Sequence, residues 1–339
     1  MSLGGLKKVL LTGGMGYIGS HTATLLLDYG YEVVLYDNLS NSSIDVKDKI
    51  QEISNREVYF VEGDLIDNEL LTRTLKDFNI DIVIHFAGKK SVGESVEKPI
   101  NYFENNISGS ISLLRAMERA SVQKIVFSSS AMVYGDPEYL PYDENHPKNP
   151  INPYGKSKLF IEETLKDVCA SNPDFSAICL RYFNPIGSHE SGLIGESPSD
   201  KPNNLMPCIL DVATGKLNEL KVYGGDYSTK DGTAIRDYIH VMDLVNGHLK
   251  GILFLDKNFG WHAFNLGTGV GYSVLDVVKS FEDVNQIEIP YKIVERRMGD
   301  IAKFYSSSIK ANNILQWYPE KGIRDMCLDV WRTKKNQRD

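Results

Sequence analysis

The sequence has no apolar run approaching the roughly 20 residues that span a bilayer, so no membrane-embedded helix is expected. Its amino terminus, MSLGGLKKVLLTGG, has no leader-type hydrophobic stretch before the first strand pattern. Cysteine is scarce: Cys169, Cys179, Cys208 and Cys327 form no C-x-x-C pair and no zinc spacing. They read as buried reduced thiols, and the expected compartment is the cytoplasm. No histidine pair has H-x-x-x-H spacing, so no metal site is expected. Basic charge is in deficit. The 37 Lys and Arg against 45 Asp and Glu leave −8, which argues against a nucleic-acid or anionic-membrane partner. Repeats, low-complexity tracts and blocks of like charge are missing as well. What remains, 42% hydrophobic and 24% charged over 339 residues, is a globular chain long enough for two domains.

What is present is an alternation of short apolar runs with helical patterns over the first 130 residues or so. Val9-Leu10-Leu11, Glu32–Tyr36, Val58–Val61, Ile82–Phe86 and Lys124–Phe127 read as strands. Helical spacing falls at Ser20–Tyr29 and near residues 67–78 and 105–120. Such runs separated by helices imply parallel strands with crossovers, hence an α/β fold with a doubly wound, Rossmann-type sheet. After about residue 185 the texture changes. Residues 187–204 read as a long loop rich in Gly, Ser, Pro, Asp and Asn, followed by a less regular alternation. The expected division is 1–185 and 186–339, a sheet domain and a smaller mixed α/β domain with a cleft between them. Segments near 236–265 are candidates to cross back to the first domain.

The turn after the first strand, Gly13-Gly14-Met15-Gly16-Tyr17-Ile18-Gly19, satisfies both G-x-G-x-x-G and G-x-x-G-x-x-G. Glycines there permit a tight turn and bring pyrophosphate oxygens against a helix N-terminus. Asp37 closes the second strand, where a carboxylate accepts ribose hydroxyls and repels a 2′-phosphate, favouring NAD over NADP. Asp64, after the third strand, is a candidate for the adenine side. Gly267-Thr268-Gly269-Val270-Gly271 imitates the motif, but Tyr272 stands where the third glycine belongs and Ser273 suits a helix N-cap.

Tyr154 and Lys158 lie four apart on one helix face, after Pro153 and downstream of Ser128-Ser129-Ser130 at a strand end. A free phenol with pKa ~10 is ionised about once in a thousand molecules at pH 7. A working base therefore needs its pKa lowered by ~3 units, a bias that Lys158 and a positive nicotinamide ring can supply together. Ser130 would hold the reacting oxygen beside Tyr154. The chemistry is alcohol oxidation, with the proton passing to Tyr154 and hydride to NAD.

These motifs, with VIHFAGKKSVGESVEKP, LRYFNPIG, NNLMP, DGTAIRDYIHVMDL and RRMGD, run through nearly the whole chain. By them the sequence resembles the extended short-chain dehydrogenase/reductases, and among these the UDP-hexose 4-epimerase family. The resemblance implies reversible epimerisation of UDP-glucose and UDP-galactose through a 4-keto intermediate, with NAD retained. It implies Ser130, Tyr154 and Lys158 as catalytic residues. It implies a cofactor lining of Gly13, Gly16, Tyr17, Ile18, Gly19, Asp37, Asn38, Asp64, Leu65, Phe86, Lys90, Asn105, Ser128, Tyr182 and Phe183, together with Tyr154 and Lys158. Substrate contacts are implied for Lys90, Ser130, Tyr154, Asn184, Asn204, Leu205, Tyr223, Arg236, Arg297, Asp300 and Phe304.

It also implies a homodimer through helices near 101–120 and 156–170. Met132 stands where the family often has Thr, and Lys89 where it has an apolar residue. The bulk of Phe304 should crowd an N-acetyl group on the sugar's second carbon. The alternatives are a nucleotide-sugar 4,6-dehydratase, which needs a carboxylic acid where this chain has Ala131-Met132, and a non-catalytic sensor, expected to lack Tyr154 or Lys158.

Overall fold

The computed structural model describes residues 7–196, 204–297 and 300–336. The expected loop at 187–204 thus lies partly outside the described residues. Strand β1 (Lys8–Thr12) feeds through the glycine turn into helix α1 (Tyr17–Asp28). Then follow β2 (Glu32–Asp37), α2 (Asp45–Ser54), β3 (Tyr59–Glu62), α3 (Asn68–Asp77) and β4 (Ile82–His85). The helical stretch expected near 105–120 is longer and broken. Short helices α4 (Val92–Glu97) and α5 (Pro99–Tyr102) lead into a π-helical segment, Phe103–Ser108, and then α6 (Gly109–Ala120). Strand β5 (Lys124–Ser130), a 3-10 turn at Ala131–Val133, α7 (Pro153–Ser171) and β6 (Ser176–Tyr182) come next.

The remaining elements are β7 (Asn184–Ile186), α8 (Leu205–Ala213), β8 (Leu220–Tyr223), β9 (Ile235–His240), α9 (Val241–Leu255) and β10 (Gly260–Leu266). They end with β11 (Gly271–Ser273), α10 (Val274–Asn285), β12 (Tyr291–Val294), β13 (Lys303–Phe304) and α11 (Ile323–Asn336).

Seven strands form one sheet in the order β10-β6-β5-β4-β1-β2-β3, with β3 through β5 paired in parallel. All four residues of β4 and all seven of β6 are buried, as strands covered on both faces require. Helices α6 and α7 pack on this sheet through Leu113, Ala116 and Met117 and through Ile161, Leu165 and Cys169. These positions recur at three- and four-residue spacing, and each buried Leu or Ile contributes ~1.5–3 kcal/mol. Strand order reverses between β1 and β4. In an open parallel sheet that is where the carboxyl ends leave a ligand crevice.

The chain forms two compact units. The first runs to Gly135 and resumes over Lys148–Arg181 and Val245–Phe264; the second takes Asp136–Pro147, Tyr182–Leu244 and the chain from Asn265. A single division at 185/186 differs from this at residues 136–147, 182–185 and 245–264, the last within the stretch named as a candidate to cross back. Residues 245–264 belong with the first unit because β10 adds to the seven-stranded sheet beside β6. Residues 136–147 belong with the second because Tyr142 bridges to Ser306 and its carbonyl accepts from Asn265 Nδ2 at 3.0 Å. In the second unit β9 pairs with β7 and β13 in parallel and with β11 antiparallel, while β8 and β12 form a separate parallel pair. Its core gathers Ile209 and Leu210 of α8, Val277 and Phe281 of α10, and Met326 and Val330 of α11. The imitation glycine motif is a turn held by Asp237, which accepts from Thr268 N and Gly269 N. Ser273 then caps α10 in a capping box with Asp276.

Candidate active site

Gly13 adopts φ +70°, and a Cβ on it would lie 2.7 Å from Ala87 N. The turn is thereby pressed against the end of β4, at the strand-order reversal. A Cβ at Gly19 would lie 2.4 Å from Gly13 O, so α1 packs directly on the turn. Gly16 is different, since a Cβ there would meet only Gly13 O at 3.3 Å. It caps α1 without a side-chain hydrogen bond, and no acid occupies the first turn that Tyr17 and Ile18 begin. The N-terminus of α1 is left for an anion to approach closely, which fits a pyrophosphate.

Asp37 accepts from Met15 N at 3.1 Å, Leu39 N at 2.9 Å and Ser42 Oγ at 3.2 Å. Burial raises its pKa and these bonds oppose the rise. A carboxylate has about four lone-pair sites, so room remains for a ribose hydroxyl. Beside it Asn38 Nδ2 donates to Asp64 Oδ2 at 2.8 Å, and Leu65 packs against Gly109. The donor set and the glycine cradle suit NAD.

At the end of β4, Phe86 N and Ala87 N both donate to Thr12 O, and the Phe86 ring packs against His248. Lys90 is exposed in the stretch beyond. Asn105 Oδ1 accepts from Lys89 N at 3.2 Å, but its neighbour Asn106 is the buried one. Asn106 accepts from Lys89 N at 2.8 Å and donates to Lys89 O at 3.0 Å and to Ser157 Oγ at 3.1 Å. Its carbonyl accepts from Ser110 Oγ, which obliges His85 Nε2 to donate to that hydroxyl at 2.9 Å. Burial and Lys158 lower the His85 pKa to about 3, so the ring is neutral near pH 7 and Nδ1 accepts from Thr12 Oγ1 at 2.7 Å. A continuous polar chain thus runs from β1 to the first turn of α7.

Helix α7 begins at the cap Asn152, whose Oδ1 accepts from Gly155 N at 2.8 Å, with Pro153 in the first turn. A Cβ at Gly155 would lie 2.5 Å from Met132 O, so glycine lets α7 press against the end of β5. Met132 Sδ lies 3.9 Å from Asn152 Nδ2, a weak contact where a threonine would offer a hydroxyl. Lys158 Nζ donates to Ser128 O at 2.7 Å and sits 5.9 Å from the Tyr154 ring centroid. Burial lowers its pKa to about 8, opposed by Glu162. Burial raises the Tyr154 pKa, opposed by a hydrogen bond from Ser130. Lowering this phenol to a working base takes the positive cofactor ring together with Lys158. The chain's own groups alone move it the other way.

In the second unit Arg236 Nη1 donates to Ile235 O at 2.9 Å and Ile301 O at 2.7 Å, and Nη2 lies 3.6 Å from Asp300 Oδ1. Asp300 N donates to Arg297 O, and the Arg297 guanidinium stacks 3.8 Å from the Tyr223 ring centroid. Tyr223, Arg236, Arg297 and Asp300 therefore form one cluster suited to a diphosphate. Phe304 pairs with Arg236 across β13 and β9, and its ring lies 4.8 Å from Tyr142 and 5.2 Å from Phe183. Tyr182 and Phe183 are buried where β6 ends, and Asn184 pairs with Tyr238. Asn204 and Leu205 stand at the start of α8, outside that cluster's hydrogen bonds, with Asn204 Nδ2 directed to Glu196.

Sequence reasoning missed His85, Asn106, Ser157, Glu162 and Arg181. Glu162 is one helical turn beyond Lys158, and Arg181 interrupts the apolar run Ile178-Cys179-Leu180, so both carried a signal. Among the described residues no group of three or more His, Cys, Asp or Glu side chains could hold a metal ion.

The family described as GDP-mannose 4,6 dehydratase matches residues 10–330. The UDP-glucose 4-epimerase of Haemophilus influenzae is 52% identical over 329 residues, covering 97% of each chain. That of Homo sapiens is 48% identical over 336 residues, again covering 97% of each. The structure of the Bifidobacterium longum UDP-glucose 4-epimerase, in complex with NAD+ and UDP, superposes with a TM-score of 0.95. It is 47% identical and covers 98% of this chain and 99% of that one. The glycine turn at the sheet's switch point, the Tyr154–Lys158 helix and this likeness over nearly the full length agree: the chain belongs to the UDP-glucose 4-epimerase family, within the extended short-chain dehydrogenase/reductases.

Proposed function

We infer that the protein interconverts UDP-glucose and UDP-galactose by oxidising the sugar's 4-hydroxyl and reducing the resulting ketone from its opposite face, with NAD retained. The observation that carries this is Ser130 hydrogen-bonded to Tyr154, with Lys158 buried one turn further along α7, at the same sheet edge as the glycine turn. NAD, when bound, supplies the hydride acceptor that becomes the donor in the second half of the reaction. Tyr154 takes the hydroxyl proton and returns it; Ser130 holds the reacting oxygen; Lys158 supplies positive charge that favours the phenolate. Gly13, Gly16 and Gly19 admit the pyrophosphate, and Asp37 takes the ribose. Arg236 and Arg297 hold the substrate diphosphate.

Purified protein given UDP-galactose without added NAD is expected to form UDP-glucose. A 4-keto-6-deoxy product would instead point to dehydration, and no turnover by protein that retains NAD would point to a sensor. Ala131 and Met132 offer no carboxylic acid for dehydration. Phe304, 2% exposed between two aromatic rings, is proposed to exclude the N-acetylated pair. UDP-N-acetylglucosamine turnover should be at least about tenfold slower than UDP-glucose turnover and should recover in Phe304→Cys.

The chain is further proposed to form a homodimer. The neighbouring elements α4, α5, the π-helical segment and α7 leave Val96, Ile100, Phe103 and Phe160 exposed, and sedimentation of the holoenzyme checks this. The four cysteines form no disulfide and three of them are buried, which suits a reducing cytoplasm.

A further inference from the structure

The end of β5 carries three serines in a row, and successive strand side chains face opposite ways. Ser130 serves the catalytic side, its hydroxyl meeting Tyr154, while the Ser128 backbone carbonyl accepts from Lys158. Ser129 serves the other. Its hydroxyl donates to Glu162 Oε1 at 2.5 Å. Glu162 has no exposed surface and lies one helical turn beyond Lys158 on α7. Arg181, 1% exposed near the end of β6, donates to the same carboxylate through Nε at 2.9 Å and Nη2 at 2.6 Å. Its remaining Nη1 donates to Tyr134 Oη at 2.9 Å, and the guanidinium lies 5.1 Å from that ring's centroid.

The carboxylate therefore ties three elements together where each carries site residues: β5, α7 and β6. A buried ion pair is weak evidence for stability, because apolar side chains of similar volume often do as well. What apolar side chains cannot do is hold a strand hydroxyl and a guanidinium at fixed angles. Resting on the catalytic reading above, we propose that Glu162, clamped by Arg181, is a positioning residue: through Ser129 it fixes the register of β5 against α7, and so the placement of Ser130 and Lys158 around Tyr154. Its charge has a second consequence. Lys158 is buried among Glu162 and Tyr154 on its own helix and neutral His85 on β4, so Glu162 is the carboxylate opposing the loss of its proton. Glu162 itself faces Arg181 and Cys179 from β6.

The test uses holoenzyme and three variants. Ser129→Ala removes the link to β5 while Glu162 keeps both Arg181 bonds, so the fold should survive. Its kcat should fall about tenfold or more, as displacements near 1 Å at reacting groups do, with KM for UDP-galactose within about twofold and a melting temperature lowered by only about a few degrees. Glu162→Asp keeps the charge but withdraws the carboxylate; kcat should fall with the alkaline limb of its pH profile unmoved. Glu162→Gln removes the charge and should shift that limb to lower pH. If Glu162→Gln does not fold, the other two variants carry the test. Wild-type kcat in both Ser129→Ala and Glu162→Asp would overturn the proposal. So would losses of kcat that merely track losses of melting temperature. Full activity in Tyr154→Phe is a separate result, which would sink the catalytic reading rather than the clamp.

Discussion

The two units hold the charged and proton-handling groups of the candidate site in opposite ways. In the first, the polar side chains packed around Lys158 are buried and committed to one another. Asn106, His85, Ser110 and Thr12 form one chain of hydrogen bonds, and Glu162 has Arg181 and Ser129. In the second, Arg236 is held by two backbone carbonyls and a carboxylate at 3.6 Å, and Arg297 is exposed and stacked on a tyrosine face. A guanidinium has five N–H donors, so these partners leave Arg236 directions for an incoming anion. The difference teaches a division of labour. Groups that move a proton gain from being fixed before the substrate arrives, because they then need no reorganisation during reaction. Groups that grip a charged ligand gain from partners that can share or yield.

Four measurements would break or sharpen this contrast. Tyr154→Phe deletes one hydroxyl from the fixed side; kcat should fall at least ~100-fold with UDP-galactose, with little change in KM. Arg236→Ala removes a grip on the yielding side; kcat/KM should fall ~10–150-fold, mostly through KM, as loss of a charged hydrogen bond worth ~1.5–3 kcal/mol predicts. A loss confined to kcat would place Arg236 with the proton-transfer groups instead.

The third concerns charge. With its pKa lowered to about 8, Lys158 is cationic below that pH and loses its charge above it. Activity should decline on the alkaline side, and Lys158→Arg should flatten that decline while lowering the maximum, since a guanidinium stays protonated but has a different shape. The fourth concerns stability rather than turnover. His85 titrates near 6.5 when unfolded and at about 3 when folded, so between those values the unfolded chain binds the extra proton. Stability is lost as pH falls through that window, by up to about 1.4 kcal/mol per pH unit from this residue. His85→Gln should reduce the acid slope of the melting temperature even though it removes native hydrogen bonds.

The parts legible in the sequence were those whose chemistry is local. The glycine turn could be read because backbone approach demands glycine within a few residues. Tyr154 and Lys158 could be read because helix periodicity brings them together and because they follow the serines at the end of a strand, downstream of the glycine turn. Glu162 obeys the same periodicity, yet a glutamate on a helix ordinarily faces water, and nothing local shows that Arg181 waits on another strand. Asn105 and Asn106 are neighbours, and nothing local shows that the segment Phe103–Ser108 is π-helical and buries Asn106. The interleaving of residues 136–147 and 245–264 was only partly visible, since it depends on pairings such as Tyr142 with Ser306 that span more than 100 positions.

That π-helical segment has a consequence for how this chain can vary. A π turn holds about one residue more than an α turn, so it acts as a phase shifter between α5 and α6. Ile100 and Phe103, outside, and Asn106, inside, take their directions from the same backbone count. Deleting one residue here would not simply shorten a helix. It would rotate everything upstream by about 100°, swinging the exposed apolar side chains and the Lys89 anchor out of alignment together. Exterior and interior are thus geared to one another at this point, and insertions or deletions should be tolerated everywhere along α4 to α6 less well than substitutions.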